Sequence, residues 1–87
     1  MHILFSKTFV KAYKKVDITI KSAFGEKLEL FKQNEFDILL RNHALHGKYK
    51  HVRSIAITGD WRAHYETIDK DIKHFITIGT HSELYKK

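Results

Sequence analysis

Halfway along the chain the hydrophobic period changes, and that change limits what the sequence can fold into. Ile20, Phe24, Leu28 and Phe31 recur at helical spacing, with Ala23 alongside. From Val52 onward β-branched and aromatic residues crowd into short runs instead. Side chains repeat every 3.6 residues on a helix and every two on a strand, so neither half can serve as the other. The order of elements follows. His2-Ile3-Leu4-Phe5 reads as an opening strand, and Ser6 offers an oxygen to cap a helix in which Phe9 and Tyr13 share one face among Lys7, Lys11, Lys14 and Lys15. Asp17 stands at the cap of the second helix, and Gly25 weakens that helix slightly.

Between Asn34 and Lys50 the periodicity fails. Phe36, Leu39 and Leu40 can form a turn of helix, but Gly47 and its polar neighbours predict a surface loop, with His43, His46 and His51 in or just after it. Val52 to Ile57 and Trp61 to Thr67 then form a hairpin across Thr58-Gly59-Asp60. Asp69-Lys70-Asp71 turns into a third strand from Ile72 to Ile78, whose alternation places Ile72, His74, Ile76 and Ile78 on one face and Lys73, Phe75 and Thr77 on the other. Strand, helix, helix and a three-stranded meander give an α+β fold, with a helical hairpin packed on one face of an antiparallel sheet.

The 87 residues contain no proline, repeat or linker, and residues 1–87 read as a single domain. A domain of this size buries only about 60% of its unfolded surface, and without cysteine it has no disulfide or thiolate metal site to add stability. Cysteine absence also excludes thiol nucleophiles and is compatible with a reducing cytoplasm. No apolar run approaches a membrane span, and the first residues are too short for a signal segment, so the chain reads as soluble, unprocessed and cytoplasmic. Sixteen Lys and Arg against ten Asp and Glu give a net charge of +6 with neutral histidines, which favours polyanionic partners. His43, His46 and His51 lack the helical spacing of a zinc-enzyme motif, so no metal is expected; phosphate-binding loops and serine elbows are absent too.

Asn42-His43-Ala44-Leu45-His46-Gly47, Arg53-Ser54-Ile55, Thr58-Gly59-Asp60-Trp61-Arg62-Ala63 and Gly79-Thr80-His81-Ser82-Glu83-Leu84-Tyr85 occur in that order. Together they resemble the successive motifs of the RelE/YafQ branch of bacterial toxins, small basic messenger-RNA interferases of type II toxin-antitoxin systems. The resemblance implies an endoribonuclease that enters the ribosomal decoding site and cuts mRNA without a metal or other cofactor. It implies a monomer alone that forms a hetero-oligomer with its cognate antitoxin, with the ribosome and mRNA as further partners.

Such cleavage needs a base for the ribose 2′-hydroxyl, an acid for the leaving 5′-oxygen and cations for the charge on phosphorus. Position in the motifs implies acid/base roles for His43, Asp60 and His81, aromatic site positions for Trp61 and Tyr85, and a basic one for Arg53. His81 is expected to be the general acid, and His43 the general base with Asp60 as its rival. Arg53 and Arg62 can fork onto phosphate oxygens, and Lys48 and Lys50 add RNA-binding charge. Ala56 stands where the family carries a further histidine.

Each residue also has a plainer reading. Trp61 and Tyr85 could be core or antitoxin anchors, and Asp60 follows Gly59 in a tight turn where aspartate often bonds the local backbone. The lysines of the first helix are expected to steer and no more. A ParE-like toxin that binds DNA gyrase, or an RNA-binding domain without turnover, would share the architecture; co-occurrence of His43, Asp60 and His81 favours cleavage.

Overall fold

A computed structural model describes residues 1–85. Strand β1 (His2–Phe5) leads into α1 (Lys7–Tyr13) and α2 (Ile18–Gln33); β2 (His43–Ala44), β3 (Val52–Thr58), β4 (Trp61–Asp69), β5 (Ile72–Thr80) and α3 (His81–Leu84) follow. The five strands form one sheet in the order β1-β5-β4-β3-β2. All neighbours are antiparallel except β1, which joins the edge parallel to β5. The predicted α+β order is present, with β2 and α3 as additions.

Ser6 caps α1 as expected, its hydroxyl accepting from the Phe9 N–H at 2.9 Å and donating to the Ile76 carbonyl at 2.6 Å. Asp17 occupies the cap position of α2, but its carboxylate accepts from the Thr19 hydroxyl instead of from the helix backbone. That local bond holds the carboxyl below its ordinary range. Phe9 and Tyr13 stack at 5.7 Å and both meet Phe24, which closes the helical hairpin. Ile20, Phe24 and Phe31 are buried against Ile55, Ile57, Ala63, Tyr65, Phe75 and Ile78 of the sheet. Phe31 bridges edge-on to Tyr65 and Phe75. Helices α1 and α2 therefore cover one face of the sheet and leave the other to the short α3 and a groove.

One alternation departs from the sequence reading. His64 pairs Thr77 and Tyr65 pairs Phe75, so a bulge leaves Ile76 without a partner on β4. The extra residue reverses the parity of β5, and Ile78 joins Phe75 in the core rather than sharing a face with Ile76. Ile76 and Thr77 both turn to the open face.

Candidate active site

The open face holds a groove of about 1050 Å³. Its basic lining comes from His43, His46, Lys48, His51, Arg62, His64 and His81, joined by Tyr49, Leu84 and Tyr85, and it includes no aspartate or glutamate. Such a surface favours anions. Sheet register sets its floor: His43, Ser54, His64 and Thr77 are successive cross-strand partners on β2, β3, β4 and β5. Directly paired residues point to the same face, so three adjacent strands present His43, Ser54 and His64 in one row.

Two residues of β2 suffice to hold His43 because the preceding loop is tied from behind. Arg53 Nε donates to Asn42 Oδ1 at 2.7 Å, and Asn42 Nδ2 donates to the Glu35 carbonyl at 3.0 Å and to the Tyr65 hydroxyl at 2.7 Å. Tyr65 in turn donates to the Glu35 carboxylate, which also pairs with the buried Lys73 ammonium at 3.2 Å. Burial and the adjacent Glu35 push the Tyr65 hydroxyl well above the ordinary tyrosine range, so it stays a donor. Arg41 makes the turn into β2 with φ 48°, and its carbonyl lies 3.1 Å from His43 Nδ1. A carbonyl can only accept, so this contact suits the tautomer protonated at Nδ1, in which the lone pair sits on Nε2. In that form Nε2 is open to accept a proton.

The far wall is α3. Thr80 and Glu83 form a reciprocal capping box, with Glu83 N–H donating to Thr80 Oγ1 at 3.2 Å and Thr80 N–H to Glu83 Oε1 at 2.8 Å. Gly79 permits the helix to lie so close: a β-carbon there would stand 3.1 Å from both Glu83 Oε1 and Leu84 Cδ2. The His81 N–H donates to the Asp60 carbonyl at 2.8 Å, joining α3 to the β3–β4 turn, where Gly59 takes φ 42°. The exposed His81 ring lies 4.4 Å from that of Tyr85. The Tyr85 hydroxyl is 3.2 Å from His64 Nε2. His64 is 7% exposed, and burial, aided by the nearby His43, lowers its pKa to about 4. It is neutral at physiological pH. Between the walls Arg62 Nη1 donates to the Gly59 and Trp61 carbonyls at 2.8 and 3.0 Å. That bond orients a cation at the groove.

Of the residues expected from sequence, the fold gathers His43, His81, Arg62, Tyr85 and Lys48 in the groove lining. Lys50 is exposed at the end of the short helical turn Gly47–Tyr49, beside the lining. Arg53 and Trp61 lie on the helix-bearing face. The Arg53 guanidinium covers the Phe36 ring at 5.1 Å, and Trp61 packs against the core. Asp60 stays in the exposed turn, outside the lining. His64 was not among the expected site residues, although its position two residues from Arg62 puts it on the same face of β4. Ser54 was not singled out either; its buried hydroxyl has no hydrogen-bond partner among the described residues. Nor do the described residues contain a group of three or more His, Asp or Glu side chains arranged to hold a metal ion.

Solved toxins share this fold. YafQ from E. coli strain BL21(DE3) superposes with a TM-score of 0.80 at 23% identity, covering 95% of this chain and 96% of that one. RelE in the RelB–RelE antitoxin–toxin complex of Methanococcus jannaschii gives 0.67 at 26% identity, with 94% of each chain covered. YafQ in the E. coli DinJ–YafQ complex gives 0.71 at 24% identity, over 95% and 96%. No curated protein matches the sequence. A family model for the bacterial YafQ toxin of type II toxin-antitoxin systems matches residues 1–86. With that match spanning nearly the whole chain, and a YafQ-like sheet carrying the histidine-lined groove, the protein belongs to the YafQ toxin family.

Proposed function

We propose that this toxin is a ribosome-dependent endoribonuclease that cleaves mRNA by metal-independent acid/base chemistry. The observation that carries the reading is one basic groove joining His43, whose Nε2 is free to accept a proton, to His81 and Arg62. His43 Nε2 takes the proton of a ribose 2′-hydroxyl as its oxygen bonds to the adjacent phosphorus. The bond from phosphorus to the 5′-oxygen breaks, and that oxygen takes a proton from the His81 imidazolium. Arg62 offsets the negative charge that grows on the phosphate oxygens between these steps. The products are a 2′,3′-cyclic phosphate and a 5′-hydroxyl.

Asp60 has no proton-transfer step in this scheme, because it contributes its backbone carbonyl to His81 and lies outside the lining. Arg53 acts through Asn42 to hold the His43 loop, and Lys48 and Lys50 supply charge for the RNA strand. Tyr85 offers an aromatic wall to a base. The protein works in the cytoplasm, monomeric alone and held by a cognate antitoxin, as YafQ is complexed with DinJ and RelE with RelB. Among the described residues no helix is long and apolar enough to cross a membrane.

Primer extension on messages translated in a cell extract tests the reading. Wild type should produce cuts whose downstream fragments accept phosphate from a kinase without prior phosphatase treatment. His81→Ala should lower the rate by about 10² to 10⁴. Downstream fragments carrying a 5′-phosphate, or full activity in His81→Ala, would reject it.

A further inference from the structure

His64 has no step in the proposed cleavage, yet it is a buried imidazole on the groove floor. Burying a polar ring costs free energy unless its nitrogens find partners. Its Nε2 has one, the Tyr85 hydroxyl at 3.2 Å, and the two rings lie 5.4 Å apart at 59°. Tyr85 ends α3, its N–H donating to the His81 carbonyl at 3.0 Å while its ring packs against that of His81. On the other side His64 pairs with Ser54 and Thr77, and the row continues to His43. A rigid strand therefore anchors the end of a four-residue helix that is too short to hold its own side chains.

We infer that His64 is a positioning residue: by binding the Tyr85 hydroxyl it fixes the Tyr85 ring, and that ring fixes the orientation of the His81 imidazole at the groove. The link to turnover rests on the cleavage reading above, but the positioning itself does not. The Tyr85 hydroxyl then matters for its bond to His64, and the Tyr85 ring for its contact with His81. Removing either end of the hydrogen bond should have the same effect, and removing both should add little. The neutral state of His64 suits the role, since its lone pair or its N–H can meet a phenol that both donates and accepts.

The test uses the full chain, labelled for proton–carbon NMR of histidine side chains. In wild type the Tyr85 ring current should displace the His81 ring protons from the positions of a free histidine. In His64→Leu and in Tyr85→Phe that displacement should collapse toward the free value, and the double variant should match the singles. His64→Gln, whose amide can reach the hydroxyl, should restore much of it. In the cleavage assay, His64→Leu and Tyr85→Phe should each lower kcat by about tenfold with KM little changed, the size typical of residues that orient a functional ligand. Unchanged His81 shifts in Tyr85→Phe, which removes a single hydroxyl from a half-buried residue at the end of α3, would overturn the proposal even if His64→Leu failed to fold. If wild type cleaved no message while the shifts behaved as expected, positioning would stand and the cleavage reading would fall.

Discussion

Acid should expose how much folding depends on keeping His64 neutral. An unperturbed histidine titrates near pH 6.5, whereas burial beside His43 lowers His64 to about 4. The unfolded chain therefore binds this proton more readily than the folded chain, and stability falls as pH drops through the window from about 6.5 to about 4. At pH 5 the unfolded imidazole is almost fully protonated and the folded one mostly neutral, a loss of about 2 kcal/mol relative to pH 8. For a domain with total stability on the order of 5 to 10 kcal/mol this is a large fraction. His64→Phe keeps an aromatic ring but binds no proton, and Tyr85 beside it is only half-buried. Groups that do not interact with His64 contribute equally to both proteins and cancel in the comparison. Urea unfolding at pH 8, 7, 6 and 5 should show the gap between wild type and His64→Phe shifting in favour of the variant by about 2 kcal/mol as pH falls. Stability curves that stay parallel within about 0.5 kcal/mol would refute the linkage.

Ser54 carries a fully buried hydroxyl with no partner among the described residues, so Ser54→Ala should stabilise the fold by about 1 kcal/mol in chemical denaturation. Arg53→Ala should cost about 1.5 to 3 kcal/mol through the lost charged bond to Asn42, and amide exchange should rise at His43 and Ala44. Weakened RNA binding without any loss of stability would instead place Arg53 in direct contact with message. Arg62→Ala should cut the single-turnover cleavage rate at saturating ribosomes, with only part recovered in Arg62→Lys, while Lys11→Ala should leave that rate and mainly weaken ribosome binding at low salt. Equal effects of the two alanine variants on rate and binding would remove Arg62 from the transition state.

Long periodic segments were legible from sequence because burial repeats along them. Ile20, Phe24 and Phe31 keep one phase through α2, and Ser6 marks its neighbour's start by simple chemistry. Two-residue β2 has no period to read, and it exists because Asn42 is tied to Tyr65 and Arg53, contacts distant in sequence. The bulge at Ile76 is likewise a pairing event between strands, invisible in either strand alone. Parity did carry usable information on the site. Arg53 shares phase with the core residues Ile55 and Ile57, and Trp61 with Ala63 and Tyr65, so their motif positions alone put them on the wrong face for the groove. Thr80 and Glu83 spelled the capping box that places His81 and Tyr85. The His64–Tyr85 bond joins β4 to the end of α3, and only the folded sheet brings those together.

The parallel seam between β1 and β5 imposes an order on synthesis. Ser6 reaches across 70 positions of sequence to Ile76, and β1 has no other strand beside it. As the chain emerges from its amino end, α1 and α2 can coil locally within microseconds, but β1 must wait, unpaired, until β5 has been translated. Closure of so long a loop is an entropic hurdle that local contacts do not lower. The groove waits with it, since Thr77 on β5 and His81 just beyond it come late in this domain. A growing copy of this toxin therefore has no complete groove until nearly all of the domain has been read, and during that interval the edge of β1 stays bare.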